Sequence, residues 1–372
     1  MSLSDRVMQL LATSLTTVLI SACATAQTAE PAHLQGPGYV IGLIRSGEPP
    51  EFDMHGAADM ENDRPISEAT VFHIASLSKQ ITAAALAMAI LEDRVSLDDP
   101  VSAYIPEAEK YGAELKIAHL LYMTSGLTEY TSVPREAGTP WTTFHYFTVD
   151  EAITACLGVE ALQFEPGTQW SYSNVNYMLI TRILAGIYEQ PFAELVQEKI
   201  FMPLGMNASL INDDVTTVIP NRANAYTTRS PETVAELRGA GLTIHHGDGL
   251  IQIRRNAPHY GGSGVMTSME DWLKWQSDML THEILGEAFW DLMVQTRTFG
   301  HDKTNDAFGL VHGEWRGHDM LWYEGGDIDA SSFMMTFPDD GFAAACFSND
   351  PFGGCADRLR AYLDTNPISV AD

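Results

Sequence analysis

The sequence predicts an α+β fold, an α/β sandwich. One antiparallel sheet is built from both chain ends and flanked by helices, with a mostly helical region inserted between its two parts. Three observations predict it. Strand-like runs lie near both ends, and helical periodicity fills the middle. Between the last two strand-like runs, Pro338-Asp339-Asp340-Gly341 is a strong hairpin turn.

Tyr39–Arg45 reads as a strand and Phe52–Ala58 as its hairpin partner, with Gly47–Pro50 turning between them. Ile81–Glu92 is helical and apolar on nearly every face, the pattern of a buried helix. Further helices are expected at Ile117–Met123, Val149–Leu157, Asn176–Tyr188, Phe192–Ile200 and Met269–Met279. Thr227–Asn256 is irregular and reads as a long loop. Strands return at Phe308–Trp315, His318–Glu324, Ser332–Phe337 and Gly341–Phe347, and Arg358–Leu363 reads as a closing helix. The expected organisation is an export signal at 1–26 and one domain at 35–365. Its sheet comes from 38–75 and 305–365, and its helical region is 80–304.

The chain has 372 residues, 45% of them apolar, enough for a large core and unlike a disordered or fibrous protein. The formal net charge of −28 repels nucleic-acid phosphates and anionic lipid headgroups, which argues against a nucleic-acid partner. The acidic excess is spread along the chain and reads as a solvated surface.

At the N-terminus, Arg6 precedes a moderately apolar run from Val7 to Ile20 and then small residues. That run is too short and too polar for a stable span and reads as an export signal. Ile20-Ser21-Ala22-Cys23 resembles a lipobox, which would place a lipid anchor on Cys23, whereas Ala24-Thr25-Ala26 suits plain cleavage. Either way the expected location is outside the cytoplasm, in the periplasm or as an outer-membrane lipoprotein. The four cysteines are too few for a disulfide scaffold, and no C-x-x-C spacing occurs. Cys346 and Cys355 are close enough in sequence to bridge in an oxidising compartment, or to remain two buried thiols.

Ser76-Leu77-Ser78-Lys79 opens the apolar helix. Helical positions three apart share a face, so Ser76 Oγ and Lys79 Nζ can meet. A serine hydroxyl needs a neighbouring base, and a lysine can serve when desolvated. Ile81, Ala83, Leu86, Ala87 and Ile90 leave little room for an exposed face, so Lys79 is expected inside the protein rather than as a surface lysine beside a serine cap. Tyr172-Ser173-Asn174 is the second candidate. A phenol beside an ammonium can act as a general base, and Asn174 can hold a substrate amide or carbonyl. Either motif alone is common; together they point to a nucleophilic serine.

Four segments, in order, carry a resemblance: IASLSK at Ile74–Lys79, HLLYMTSGL at His119–Leu127, EPGTQWSYSNVNY at Glu165–Tyr177 and GGSGVMTSMEDW at Gly261–Trp272. They resemble the penicillin-recognising serine hydrolases of the class C β-lactamase-like branch, which also holds S-x-x-K esterases, D-aminopeptidases and D-Ala-D-Ala carboxypeptidases. The likeness runs from about Tyr39 to Leu363. It implies a β-lactamase/transpeptidase-like fold and an acyl-enzyme on Ser76, with Lys79 and Tyr172 as proton acceptors. No cofactor and no metal are implied. The implied partner is a small ester, amide or peptide.

The family's third motif, K-T-G or H-x-G on a strand, is matched here by Tyr323-Glu324-Gly325. Alternation along a strand would turn Tyr323 and Gly325 toward the site and Glu324 away. Gly325 would let substrate approach the backbone, and the N–H of Gly326 would join that of Ser76 as oxyanion donor. Tyr323 carries no positive charge, which tilts expectation from β-lactams toward another ester or amide. Some esterases of the family have Trp in this place; here Trp322 lies one position off and would need a bulge to align. The alternatives are a class C-type β-lactamase, and a non-hydrolytic penicillin-binding sensor or inactive cell-wall-binding relative. His245-His246-Gly247-Asp248 lacks metal spacing and is expected in a loop or a wall of the cleft. No G-x-S-x-G elbow, dinucleotide fingerprint or P-loop is present.

Overall fold

The computed structural model describes residues 36–368 other than 137 and 302–304. The expected export signal, with Cys23, lies outside the described residues.

β1 (Tyr39–Arg45) and β2 (Glu51–His55) form the first hairpin. Gly56, at φ 78°, ends β2, and β3 (Ala57–Asp59) pairs instead with β4 (Arg64–Pro65), so the expected partner strand is shorter than Phe52–Ala58. β5 (Val71–His73) leads through a 3₁₀ turn, Ala75–Leu77, into α1 (Ser78–Leu91). Ser76 therefore sits in the turn before the helix rather than in its first turn. α1 is buried along most of its length, as its all-round apolar surface requires.

α2 (Ile117–Leu121) and α3 (Val149–Leu157) follow. α3 starts where Thr148 and Glu151 cap each other, at 3.1 Å and 2.7 Å. α4 (Asn174–Tyr188) begins earlier than its apolar pattern suggested, because Glu129 supplies a cap from another part of the chain. α5 (Phe192–Val196) runs on into a π turn, Gln197–Phe201. β6 (Leu210–Ile211) is brief.

The stretch expected as a loop is ordered structure. β7 (Ala225–Thr228), α6 (Pro231–Gly239) and β8 (Leu250–Ile253) close a satellite core of Ala225, Val234, Leu237, Ile251 and Ile253. A short helix with two apolar anchors has too weak a period to stand out in sequence. β9 (Val265–Ser268), α7 (Met269–Thr281) and α8 (Glu287–Met293) complete the middle of the chain.

The last strands are β10 (Val311–Trp315), β11 (His318–Asp327), β12 (Ala330–Phe337) and β13 (Phe342–Ser348), followed by α9 (Cys355–Thr365). The six-stranded sheet has the order β10-β11-β12-β13-β1-β2 and is antiparallel throughout. Its two faces follow strand alternation. Ile41, Leu43, Phe333, Met335, Ala344 and Cys346 pack on Leu359 and Leu363 of α9. Val40, Met334, Ala345 and Phe347 face the large core around α1 and α7. Gly42 lets α7 approach, since a Cβ there would meet Met269 at 2.6 Å. Cys346 and Cys355 are disulfide-bonded, pinning β13 to the start of α9. No helix among the described residues is long and apolar enough to cross a membrane.

Candidate active site

The central sheet and a smaller one meet at Ser76. β5 pairs with β9 in register His73↔Met266, and its chain then turns sharply. Ala75 is buried and held at φ 47°, a backbone region unfavourable for a residue with a Cβ. Ser332 Oγ donates to Ile74 O at 2.7 Å and clamps the turn from β12. Ser76 is thus presented on a strained corner rather than along a helix face.

Lys79, fully buried, points back to that corner. Its Nζ donates to Tyr172 OH at 2.6 Å, Gly262 O at 2.6 Å, Asn174 Oδ1 at 2.9 Å and Ser76 Oγ at 3.2 Å. Three N–H groups are shared among these acceptors, so the longest contact, to Ser76, is the one most easily exchanged. Tyr172 OH lies 2.6 Å from Ser76 Oγ, closing a triangle of hydroxyl, amine and phenol. Tyr172 is 40% exposed and Ser76 half-buried, so the triangle opens to solvent at the hydroxyl and the phenol and is closed at the amine.

Asn174 is gripped at both ends. Its Nδ2 donates to Glu129 Oε1 at 3.1 Å while its Oδ1 receives Lys79. Glu129 Oε2 also accepts from Asn174 N at 2.6 Å and from Ser173 Oγ at 2.8 Å, capping α4. One Nδ2 hydrogen of Asn174 remains for a substrate.

β11 runs past the corner with an unbroken register, Gly325↔Ser332 and Gly326↔Ser331. A Cβ on Gly325 would stand 2.6 Å from Ile74 O and 3.0 Å from Ser76 N, so only glycine allows this approach. Tyr323 packs against the large core and shares a cavity with Tyr172 and Tyr177. Burial, and then the neighbouring phenols, push the Tyr323 hydroxyl well above its usual range, so it stays a neutral hydrogen-bonding group. No bulge brings Trp322 into that place; its ring packs on Phe333, 6.1 Å away, toward α9. Glu324 is exposed.

Gly326 opens onto a cavity of about 450 Å³, walled by Tyr130, Trp141, Phe144, Leu237 and Asp327. A second cavity of about 210 Å³ lies beside Tyr172, between Met123, Trp170, Tyr177, Asp306 and Tyr323. Among the described residues, the charged side chains lining the two are Glu236 and Asp327 in one and Asp306 and Glu324 in the other, all acidic. His245 and His246 line neither cavity; both are exposed, with Arg229 donating to His245 O and Arg238 to His246 Nε2.

The structure therefore gathers Ser76, Lys79, Tyr172 and Asn174 into one hydrogen-bonded group and lays Gly325 against it. Sequence reasoning missed Glu129 and the Gly262 carbonyl. Glu129 had no local signal. For Gly262 the signal was the glycine run Gly261-Gly262-Ser263-Gly264; a Cβ there would stand 2.7 Å from Asn174 Oδ1.

The Beta-lactamase family model matches residues 25–366. A D-aminopeptidase of Gluconobacter oxydans (strain 621H) is 28% identical over 301 residues, covering 81% of this chain and 53% of the relative. The chain spans about half the length of the D-aminopeptidases it matches. The crystal structure of a penicillin binding protein from Bacillus halodurans superposes with a TM-score of 0.73 at 18% identity, covering 88% of this chain and 95% of that one. The D-amino acid amidase of Ochrobactrum anthropi SV3, complexed with D-phenylalanine, does so at 0.73 and 22%, covering 88% and 94%. With most of its length matched by one family model and its fold shared with these structures, the chain belongs to the Beta-lactamase family.

Proposed function

We propose that the chain is a serine hydrolase that cleaves small amides or esters, of the D-aminopeptidase or amidase kind, through an acyl-enzyme on Ser76. The observation that carries this reading is the buried Lys79 amine, hydrogen-bonded at once to Ser76 Oγ and Tyr172 OH. Ser76 Oγ attacks the substrate carbonyl and passes its proton to the Tyr172–Lys79 pair. The oxyanion that forms is held by the N–H groups of Ser76 and Gly326. The C–N or C–O bond breaks as Tyr172 returns the proton to the leaving group. A water then attacks the ester on Ser76 and gives its proton to the same pair, which passes it to Ser76 Oγ as the acyl C–O bond breaks and the acid leaves.

The substrate class follows from charge. Among the described residues, the charged side chains lining the two cavities are carboxylates, and Tyr323 stands where a cation would hold a substrate carboxylate. Amino-acid amides bearing a free ammonium fit such a cleft better than anionic β-lactams. The names of the relatives agree with amide cleavage. An extracytoplasmic site of action is part of the same proposal. It is supported by the Cys346–Cys355 bridge, which suits an oxidising compartment, and by the N-terminal signal pattern, with Cys23 as the candidate lipid anchor.

The test compares Ser76→Ala with the native chain on p-nitrophenyl acetate, D-amino-acid p-nitroanilides and nitrocefin, with mass spectrometry of the acylated peptide. Activity undiminished in Ser76→Ala would overturn the mechanism. Rapid nitrocefin turnover would overturn the substrate class, and acylation without turnover would assign a penicillin-binding sensor instead.

A further inference from the structure

Behind the nucleophile lies a buried polar cluster that the proposed mechanism leaves unused. His73 ends β5, and only Ile74 and Ala75 separate it from Ser76. Its ring is almost wholly enclosed, with a side-chain exposure of 2%, against 5% for Asp329. Asp329 Oδ1 lies 2.7 Å from His73 Nδ1, and Ser263 Oγ 2.8 Å from Nε2. Arg255 Nη1 approaches the same Nε2 at 2.5 Å, and Gly264 N points to it at 3.4 Å.

These contacts decide the tautomer. A guanidinium can only donate, so Nε2 offers its lone pair and the ring hydrogen sits on Nδ1, facing Asp329. Burial pushes the Asp329 carboxyl up, but the hydrogen bond from His73 and the charges of Arg255 and Arg222 outweigh it and hold the group below its usual range, as a carboxylate. The set resembles a Ser–His–Asp relay but is not one. The one Nε2 lone pair is shared between the Ser263 hydroxyl and the Arg255 guanidinium, which leaves it a poor base, and Ser263 is buried away from both cavities. Nor do His73, Asp327 and Asp329 make a plain cation site, because Arg255 already lies among them, its Nε 3.8 Å from Asp327 Oδ2.

What the imidazole does is join three segments. β5 carries Ser76. The 261–264 turn carries the Gly262 carbonyl that accepts from Lys79. The β11–β12 turn carries Asp329, just beyond Gly325 and Gly326. The glycine-rich turn is anchored at its ends, where Thr82 Oγ1 donates to Gly261 O at 2.8 Å and Val265 N donates to Ser78 Oγ at 3.0 Å. Its middle is held by Ser263 on His73.

We propose that His73 is a positioning residue for the chemistry at Ser76. Through Ser263 it sets the Gly262 carbonyl, and through that carbonyl the place of the Lys79 amine. This inference rests on the reading of Ser76 as the acylated residue. It accounts for a costly arrangement, a charged carboxylate and a guanidinium enclosed together around one neutral ring.

The test uses the full chain, turnover of p-nitrophenyl acetate, and the rate at which a fluorophosphonate labels Ser76. His73→Phe keeps the ring and removes both nitrogens; kcat and labelling rate are expected to fall about tenfold or more, with KM within about twofold. Ser263→Ala, which deletes one hydroxyl, is expected to lose about threefold in the same two quantities at an unchanged melting temperature. His73→Gln, which returns an acceptor to Ser263 and Arg255, is expected to recover a large part of the loss. Native labelling rates in His73→Phe, or in Ser263→Ala should the first variant fail to fold, overturn the proposal. So does a loss carried by KM, or one that glutamine does not relieve. If Ser76→Ala is inactive while these variants label at the native rate, the positioning role alone falls. If Ser76→Ala stays active, the acyl-enzyme reading itself falls.

Discussion

Glu129 holds Asn174 by both its backbone N–H, at 2.6 Å, and its side-chain Nδ2, at 3.1 Å, and so turns the Asn174 Oδ1 toward Lys79. A carboxylate outside the catalytic triangle thus sets the orientation of an amide inside it. Glu129→Gln can present an NH₂ where the carboxylate accepted, and the Asn174 amide loses its reason to keep one orientation. We expect kcat to fall by about tenfold to a hundredfold, the range for a slightly misplaced catalytic group. Steady-state kinetics on an activated ester checks this; a native kcat in Glu129→Gln would remove Glu129 from the site.

Gly325→Ala tests the approach of β11 to the nucleophile turn. The added methyl would lie 2.4 Å from Ser332 Oγ, 2.6 Å from Ile74 O and 3.0 Å from Ser76 N. Backbone must move, and we expect a stability loss of about 1–3 kcal/mol together with a large loss of Ser76 labelling. Urea titration and labelling kinetics on the same sample separate the two effects.

Asp327→Asn removes a carboxylate from the wall of the larger cavity without changing its size. For an amino-acid amide with a free ammonium, kcat/KM should drop about fivefold relative to its N-acetyl derivative, the weight of one partly solvated charge pair. Equal loss on both substrates would mean that Asp327 shapes the cavity and does not sense charge.

Acid should unfold the protein through buried histidines. Burial first, then the charges of Arg255 and Lys79, holds His259 well below its usual value of 6.5, and its ring nitrogens lack hydrogen-bond partners. Burial, with Arg297 and Lys116, lowers His119 to about 4. A folded value below the unfolded one means that the unfolded chain binds protons first. The stability these neutral rings confer is complete above pH 6.5 and falls as pH drops below it, for His119 until about pH 4. We expect the melting temperature to decline across that interval, and less steeply in His259→Phe, whose ring still packs on Tyr130 and Phe147.

Reducing the Cys346–Cys355 bridge should cost about 2–3 kcal/mol, the loop-entropy value for so short a closure. Ser76 labelling below the melting transition should persist, because the bridge ties β13 to α9 on the face away from the site. Thermal melts with and without dithiothreitol measure both.

Much of the site was legible because its parts are written locally. Ser76 and Lys79 share one short segment, and the apolar faces of α1 announced that Lys79 would be enclosed. Tyr172 and Asn174 also come as one unit. Gly325 and Gly326 were visible as a strand glycine pair. What was hidden is what tertiary structure assembles. Glu129 reaches Asn174 across 45 positions, and His73 reaches Asp329 across 256. The Gly262 carbonyl is backbone and carries no residue signature. In the fold, α1 and the β12–β13 hairpin stood out through strong period and turn chemistry. α6 did not, since Val234 and Leu237 alone anchor it. The start of α4 was misplaced because its cap comes from Glu129 and not from a neighbour.

The pairing of β1 with β13, Tyr39 opposite Ser348, has a consequence for how the molecule is made. The first hairpin emerges from the ribosome some three hundred residues before the strand that completes it. Until then Val40, Ile41 and Leu43 have no lasting shelter, and an open edge invites association with other chains. Such long-range closure makes assembly slow. Newly synthesised copies should therefore depend on holdases, and refolding yields in the test tube should fall steeply as concentration rises.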